Sequence, residues 1–381
     1  MKQYSITNKK ILSTLGDLFP KQSMLEKQGK NYINAIQGWE FSDETIKSAA
    51  RASKLLHLDY EFSVNCSLDC CYCFRKNDNR DNGKILSFNE WSHVLNEAKE
   101  LGVTSIKFLG AGELTENKNF FKAMEYTSNL EITPLIFTAA NVIGDDNLSR
   151  KYHGMSGAEM AKKLYDMGCS IMVKANSFNP EIQDKIVGVK GYSEKRDEGL
   201  RRLINAGFNN HNPTRLGLEV AMMRTEPGEL FEIYKLKEAL NLYIDLDPFM
   251  PCGNTKTIEK SNPFDISLDE KIELYKKVYS FNEEVGIPFR GVSPYAGGQE
   301  CSQLGYGLYI NIMGEIFPCP GSHYFLGNVR GKNLEELWKK NSFAMKYSGA
   351  LSHGCPFREE AGVLYPGWEK DVRKNSENIS D

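Results

Sequence analysis

From His57 onward the chain alternates between short apolar, β-branched segments and longer charged, amphipathic ones. This alternation is typical of repeated strand–helix units, which build a parallel sheet or a β/α barrel. Six strands are predicted, at His57–Val64, Thr104–Leu109, Thr133–Thr138, Ser170–Lys174, Arg215–Met223 and Tyr243–Phe249. Helices are predicted between them at Phe88–Leu101, Ala158–Met167, Glu194–Ala206 and Pro227–Ala239.

The first predicted strand leads into a run of four cysteines, Cys66-Ser-Leu-Asp-Cys70-Cys71-Tyr-Cys73. Three of them, Cys66, Cys70 and Cys73, have the spacing C-x3-C-x2-C. Thiolates so close together in a loop can hold one iron–sulfur cluster. Three ligands leave one iron of a four-iron cube open for a substrate or cofactor. A structural zinc site is the alternative, but no cysteine follows before Cys169.

The run resembles the signature of the radical S-adenosylmethionine (SAM) superfamily, including the aromatic Tyr72 before the last cysteine. The resemblance implies a [4Fe–4S] cluster on Cys66, Cys70 and Cys73, with SAM bound at the open iron. It implies reductive cleavage of SAM to a 5′-deoxyadenosyl radical, with electrons from a reductant such as flavodoxin or ferredoxin. The implied fold is a partial (βα)6 barrel, which the six predicted repeats match. Ligands of β/α barrels bind at the carboxyl ends of the strands.

The second predicted strand ends in Gly110-Ala-Gly112-Glu113, which resembles the Gly-Gly-Glu motif of the family. Its backbone is implied to contact the methionine ammonium of SAM, and glycine permits that close approach. The other residues expected near SAM follow the third, fourth and fifth strands: Thr138, Asn141, Lys174, Asn176, Ser177 and Arg224. The alternatives are structural: Ser177 and Asn179 could cap a helix beginning at Pro180, Asn141 could cap a turn, and Arg224 could form a solvated salt bridge.

A second constellation lies near the carboxyl terminus, where Cys301, Gly314 and Cys319 form C-x12-G-x4-C. Segments 309–312 and 315–317 are predicted to form a hairpin turning at Gly314, which brings Cys301 and Cys319 together. With Leu326-Gly-Asn-Val and Cys355, the region resembles the SPASM domain and its shorter form, twitch, which hold auxiliary iron–sulfur clusters.

Ser352 stands where a full SPASM domain has a further cysteine. One auxiliary cluster of the [4Fe–4S] type is therefore expected, on Cys301, Cys319 and Cys355. Its fourth ligand is expected to be Cys252, His353 or a substrate atom.

Three residues on or just past the sixth predicted strand are candidates for catalysis. Cys252, just past the sixth strand, is an auxiliary ligand, a hydrogen-atom donor to the substrate radical, or a passive buried thiol. Asp245 and Asp247 alternate on the sixth strand and so face the same side, where they could bind substrate or act as a base. Their alternative is a strand-end turn or a salt bridge.

Four regions are predicted: a helical extension (1–54), a partial barrel (55–255), a connecting helical segment (256–299) and an auxiliary-cluster domain (300–381). A hydrophobic content of 41% and a charged content of 25% are ordinary for a globular protein. The net charge of −3 gives no reason to expect nucleic acid, and no apolar stretch reaches the length of a membrane span. Nine cysteines without an apolar signal segment favour reduced thiols and a cytoplasmic location.

The favoured function is radical SAM oxidation, epimerisation or elimination on a small polar substrate such as a sugar, aminocyclitol or nucleoside. The alternative is modification of a ribosomally made peptide by a crosslink, thioether or epimerisation. The short, helical-looking first 54 residues do not match the peptide-recognition domain that such enzymes often carry. A non-enzymatic iron–sulfur carrier is disfavoured, because it needs neither Gly112-Glu113 nor six strand–helix repeats.

Overall fold

The computed structural model describes residues 6–20, 32–73, 85–248, 264–287, 301–351 and 355–357. The strands are β1 His57–Glu61, β2 Ser105–Leu109, β3 Thr133–Thr138, β4 Ser170–Lys174, β5 Leu216–Met222, β6 Tyr243–Pro248, β7 Gly307–Ile310, β8 Glu315–Phe317 and β9 Gly327–Asn328. The α-helices are α1 Lys9–Leu15, α2 Asp43–Arg51, α3 Phe88–Leu101, α4 Phe120–Asn129, α5 Asn141–Gly144, α6 Asp146–His153, α7 Gly157–Asp166, α8 Pro180–Val187, α9 Tyr192–Asn205, α10 Glu229–Tyr234, α11 Leu236–Leu240, α12 Leu268–Val285, α13 Gln303–Tyr306, α14 Leu334–Lys339 and α15 Ser342–Tyr347. Short 3-10 turns lie at Gly16–Leu18, Leu114–Glu116 and Phe208–Asn210.

Strands β1 to β6 pair in chain order, and every pair among them is parallel. Helices cross over between successive strands, as a parallel sheet requires. The predicted partial (βα)6 barrel is confirmed, and so are the six predicted strands, apart from their ends. The core between strands and helices contains fully buried apolar side chains, among them Leu58, Ile106, Phe108, Ile136, Ile171 and Leu218.

Helix α3 shows why the local sequence folds as it does. Ser87 and Glu90 form a reciprocal capping box at its start, which satisfies two backbone donors. Its end is fixed by Gly102, which has φ +104°, a left-handed conformation that glycine adopts without strain. Its buried face contains Trp91, Val94, Leu95 and Ala98, which join the core beside β1 and β2.

The amino end of the barrel is closed by the chain before α2. Trp39 packs against Phe137 and Tyr243 on the inner face, with ring centroids 5.5 and 5.7 Å away. Ile36 forms a parallel bridge with Thr214, just ahead of β5. The barrel interior is therefore accessible from the carboxyl ends of its strands.

The carboxyl-terminal region joins the same sheet. Strand β7 pairs in parallel with β1, with Gly307 opposite His57, and β8 and β9 follow as antiparallel strands. The predicted hairpin is confirmed by β7 and β8, and its turn contains Gly314 at φ +81°. The pairing of β7 with β1 was not predicted, and it extends the barrel sheet into the auxiliary region.

Within the described part of the chain, every helix is too short or too polar to span a lipid bilayer.

Candidate functional site

Cys66, Cys70 and Cys73, called here the barrel triad, lie on the loop that leaves the carboxyl end of β1. The loop backbone is bonded to the end of α8. Asp69 N donates to Val187 O and Cys71 N donates to Ile186 O, each at 2.9 Å. The triad thus has a fixed support at the rim of the barrel, where β/α barrels bind ligands.

The thiols of the barrel triad interact electrostatically. Burial raises the pKa of Cys66 to about 11 and that of Cys70 to about 12, and the charge of Cys73 adds to both. Thiols gathered in this way suit a cationic centre, because coordination to metal deprotonates a thiol. Among the described residues, no three His, Cys, Asp or Glu side chains converge on a point that would hold a single metal ion. The thiolates of a cluster bind separate irons, so the triad fits a cluster in its chemistry.

The glycines of the second strand end lie directly against the cysteine loop. A Cβ on Gly112 would stand 2.2 Å from the carbonyl oxygen of Asn65, and one on Gly110 would stand 1.7 Å from the oxygen of Gly112. Glu113 N also donates to Asn65 O at 2.6 Å. Only glycine fits both positions, so the Gly110–Glu113 turn and the cysteine loop form one close-packed rim.

The side chain of Glu113 holds two strand ends together. Its buried carboxylate accepts hydrogen bonds from Thr115 N and Oγ1, from Thr138 Oγ1 and from Ala139 N, at 2.5 to 3.2 Å. Burial raises the pKa of Glu113 although these donors favour its charged form. The carboxylate and the hydroxyl of Thr138 are therefore engaged with the protein.

Asn141 follows β3 and is buried, with its amide nitrogen 3.5 Å from Glu116 Oε1. Its Oδ1 atom is buried and accepts no hydrogen bond within the described residues. A buried acceptor without a donor is uncommon and is a position where a ligand can bond. Asn141 stays a predicted contact of SAM.

The end of β4 contributes Lys174, Asn176 and Ser177. Asn176 Oδ1 accepts a hydrogen bond from Ala221 N at 2.9 Å, while its Nδ2 is buried and has no hydrogen-bond partner among the described residues. The hydroxyl of Ser177 donates to the buried Glu229 at 2.8 Å, which indicates a structural use. Asn179 caps α8, as the alternative interpretation of this segment expected.

Lys174 lies between the barrel triad and the barrel interior. Its Nζ is 3.8 Å from Glu219 Oε2, and its side chain is 33% exposed. The charge of Glu219 raises the pKa of Lys174, and the charges of Cys70 and Glu113 add to this effect. Lys174 is thus a cation at the rim, available to an anionic ligand group.

Arg224 is placed differently from the sequence expectation. Its guanidinium lies 3.4 Å from Glu270 on α12 and donates to the backbone oxygen of Asp265. The Arg224 side chain is 55% exposed. This arrangement matches the salt-bridge alternative, and a contact of Arg224 with SAM stays a prediction.

Asp245 and Asp247 face the barrel interior together with Glu219. The strand register aligns Lys174, Glu219 and Asp245 across β4, β5 and β6. Burial and the charges of Asp247 and Glu219 raise the pKa of Asp245 well above its usual range. Sequence reasoning missed Glu219. Side chains alternate between the two faces of a strand, and Glu219 lies on the face of β5 that aligns with Lys174 and Asp245.

Cys301, Cys319 and Cys355, called here the auxiliary triad, come together at the other end of the sheet. Cys319 and Cys355 pack with Leu304 and Phe357 in one small apolar cluster. Burial raises the pKa of Cys319, and the charges of Cys301 and Cys355 raise it further. The predicted proximity of Cys301 and Cys319 is thus present, and the triad fits a cluster in its chemistry.

The other predicted ligands, Cys252 and His353, lie outside the described residues, and so does Ser352. Cys252 stays a predicted auxiliary ligand or hydrogen donor, and His353 stays a predicted fourth ligand.

Comparisons with known proteins agree with this geometry. The profile of the radical SAM superfamily matches residues 60–236, and that of the SPASM iron–sulfur cluster-binding domain matches residues 301–362. A PqqA peptide cyclase of Bradyrhizobium diazoefficiens is 26% identical over 322 residues, covering 78% of each chain. A probable GTP 3',8-cyclase of Methanococcus aeolicus is 25% identical over 197 residues, covering 51% of this chain and 59% of that relative. The structure of Streptococcus suis SuiB bound to precursor peptide SuiA has a TM-score of 0.59 at 16% identity, covering 84% of this chain and 76% of that one.

The chain belongs to the radical SAM superfamily and carries a SPASM domain. Its cofactors are accordingly a [4Fe–4S] cluster that binds SAM and auxiliary iron–sulfur clusters held by the SPASM domain. The family resemblance of the two cysteine patterns is confirmed.

Proposed function

We propose that this radical SAM enzyme forms a ring-closing bond within a ribosomally made peptide. The observation that carries the proposal is the similarity to PqqA peptide cyclases. Two such relatives, 26% and 28% identical, each cover 78% of this chain and are themselves covered to 78%. The GTP 3',8-cyclase of Methanococcus aeolicus covers only 51% of this chain. A peptide is thus favoured over the small polar substrate expected from the sequence.

The barrel triad is proposed to hold the SAM cluster, and Gly110, Gly112 and the backbone of Glu113 to form the adjoining wall of the SAM site. The support for this is the contact of Gly112 with Asn65, which permits no side chain on the wall. Lys174, whose Nζ is 3.8 Å from Glu219 Oε2, lies on the same rim as Asn176, whose Nδ2 has no hydrogen-bond partner among the described residues. When bound, the cofactors supply a radical that removes a hydrogen atom from the substrate and an acceptor for the second electron.

The barrel interior is proposed to hold the reacting part of the peptide. Closing a bond between two residues removes two hydrogens, one as an atom and one as a proton. Asp245 and Asp247 are the proposed proton acceptors, since they face the interior from β6 and interact with each other. Burial and the neighbouring carboxylates raise the pKa of Asp245, which suits a carboxyl that takes up and returns a proton.

The auxiliary triad is proposed to hold one cluster. Three thiols gathered from Cys301, Cys319 and Cys355 support this proposal, together with the apolar cluster around them. Cys252 and His353 are proposed alternatives for a fourth ligand, and Cys252 as a hydrogen donor is the competing proposal for that residue. An external reductant such as flavodoxin or ferredoxin is proposed to supply the electrons.

The test is anaerobic incubation of the reconstituted protein with SAM, dithionite and synthetic peptides encoded by short reading frames beside its gene. We expect a product lighter by two hydrogen atoms, with fragment ions missing between the linked residues. The variant with the barrel triad changed to Ala is the control and should leave the peptide unchanged. If every peptide returns unmodified while sugars, aminocyclitols or nucleosides stimulate 5′-deoxyadenosine formation, the peptide proposal is wrong.

A small polar substrate is the second candidate. The observation in its favour is the similarity to probable GTP 3',8-cyclases, although that similarity extends over only about half of this chain. Deuterated water separates the outcomes further, since epimerisation would introduce deuterium at the inverted carbon without changing the number of hydrogens.

A further inference from the structure

A buried ion pair joins the neighbouring strands β1 and β2 on the barrel's inner face, beside β7. Asp59 Oδ1 on β1 lies 2.9 Å from Lys107 Nζ on β2, and the two side chains are 2% and 11% exposed. His57 Nε2 lies 3.2 Å from the same carboxylate oxygen. Burial lowers the pKa of His57, so this ring is neutral at neutral pH and the pair consists of one anion and one cation.

The auxiliary region is bonded to this pair. Gln303 Nε2 donates to Asp59 Oδ2 at 3.0 Å, and Gln303 lies two positions after Cys301. The space for this amide exists because position 307 is glycine, where a Cβ would stand 2.5 Å from Gln303 Nε2. Gly307 is opposite His57 in the strand register. The segment that carries Cys301 is therefore fixed against the ion pair.

The two charges lie beside the segment that carries Cys301, since Asp59 Oδ2 accepts a hydrogen bond from Gln303. An anion and a cation act on a nearby charged centre in opposite directions. Charges in a poorly hydrated interior act over longer distances than charges in water. Net charge near an iron–sulfur cluster is one of the factors that set its reduction potential.

We propose that Asp59 and Lys107 are positioning residues that set the reduction potential of the auxiliary cluster, with Lys107 favouring its reduced form and Asp59 its oxidised form. The proposal rests on the ligation of that cluster by the auxiliary triad and not on the identity of the substrate. Reduction adds an electron, so a nearby cation stabilises the product and a nearby carboxylate destabilises it. Because the two residues form a pair, the potential depends on the balance between them, and removing either charge shifts it.

The test is an EPR-monitored redox titration of the full chain, with the barrel triad changed to Ala so that only the auxiliary cluster contributes. Lys107→Met should lower the midpoint potential and Asp59→Asn should raise it. The double variant should lie between the two, close to the parent. Lys107→Arg keeps the charge and should also stay close to the parent.

Lys237→Met is the matched control. Lys237 is a buried lysine that bonds to Asn34 and contacts the ring of Tyr243, on the β6 side of the barrel, and its loss should leave the potential unchanged. Iron content and thermal unfolding identify variants that fail to fold. If Lys107→Met fails to fold, the potentials of Asp59→Asn and Lys107→Arg decide between the outcomes. Single variants that shift the potential in the same direction, or not at all, with iron retained, would overturn the proposal. A parent without any auxiliary cluster would refute the ligand assignment as well, whereas failure to modify a peptide would leave this result standing.

Discussion

The two cysteine triads lie at opposite ends of β1 and are built in different ways. The barrel triad comes from one short loop after β1, at the rim of the barrel. The auxiliary triad comes from three separate segments around the hairpin of β7 and β8, and Cys319 is buried among apolar side chains. An open loop at the rim suits a centre that exchanges a ligand such as SAM. A buried site assembled from distant segments suits a centre that stays fully enclosed and contributes to folding.

The largest expected effect separates the two triads by chemistry. Changing Cys66, Cys70 and Cys73 together to Ala should abolish formation of 5′-deoxyadenosine, because SAM would have no cluster to bind. The auxiliary absorbance should remain, since the auxiliary triad shares no ligand with that loop. Chromatography of SAM products and the visible spectrum of the variant check both statements. Continued SAM cleavage would assign the cluster to other residues.

Removing the auxiliary triad should have a different signature. The triple change of Cys301, Cys319 and Cys355 to Ala should lower the iron content to about half, because one of two clusters is lost. Uncoupled cleavage of SAM should persist, and the protein should unfold at a lower temperature. Iron analysis and thermal unfolding provide the readouts. An unchanged iron content would show that these thiols are structural.

The close packing around the barrel triad can be disrupted by a substitution that leaves all three cysteines in place. Gly112→Ala would place a Cβ 2.2 Å from Asn65 O, so the cysteine loop must move. We expect a loss of stability of about 1–3 kcal/mol, typical of overpacking, and a marked loss of SAM binding. Gly331→Ala is the control, because its nearest neighbour would be 3.9 Å away. Equal SAM binding in both variants would show that the close contact is not needed.

The same comparison explains what the sequence could predict. Strand periodicity located β1 to β6, and the spacing of Cys66, Cys70 and Cys73 is a local pattern that requires no knowledge of the fold. The pairing of β7 with β1 joins residues about 250 positions apart, and no local pattern encodes it. Asp59 and Lys107 carry no motif for the same reason, since their meeting depends on the register of two strands.

Two residues of the rim, Lys174 and Arg224, were predicted to contact SAM from their positions at strand ends. The structure shows that their surroundings differ. Lys174 ends β4 and Arg224 follows β5, so strand order alone makes both candidates for contact with SAM. The docking of α12 gives Arg224 a partner in Glu270, which no pattern around Arg224 reveals. The structural use of Glu113 could not be predicted from the sequence either. Its carboxylate joins the ends of β2 and β3 because the fold places Thr138 and Ala139 beside it.

The smallest expected effect tests this separation. Lys174→Met should weaken SAM binding about tenfold, because it removes a charge-assisted contact of about 1.4 kcal/mol beside the barrel triad. Arg224→Ala should change SAM binding little, since an exposed ion pair is screened by water and salt. Equilibrium binding of SAM to the reconstituted variants measures both effects, with Lys190→Met, a change at an exposed lysine, as a control for loss of a lysine. A larger loss in Arg224→Ala than in Lys174→Met would mean that Arg224 leaves Glu270 to bind SAM, and that the rim rearranges when the ligand enters.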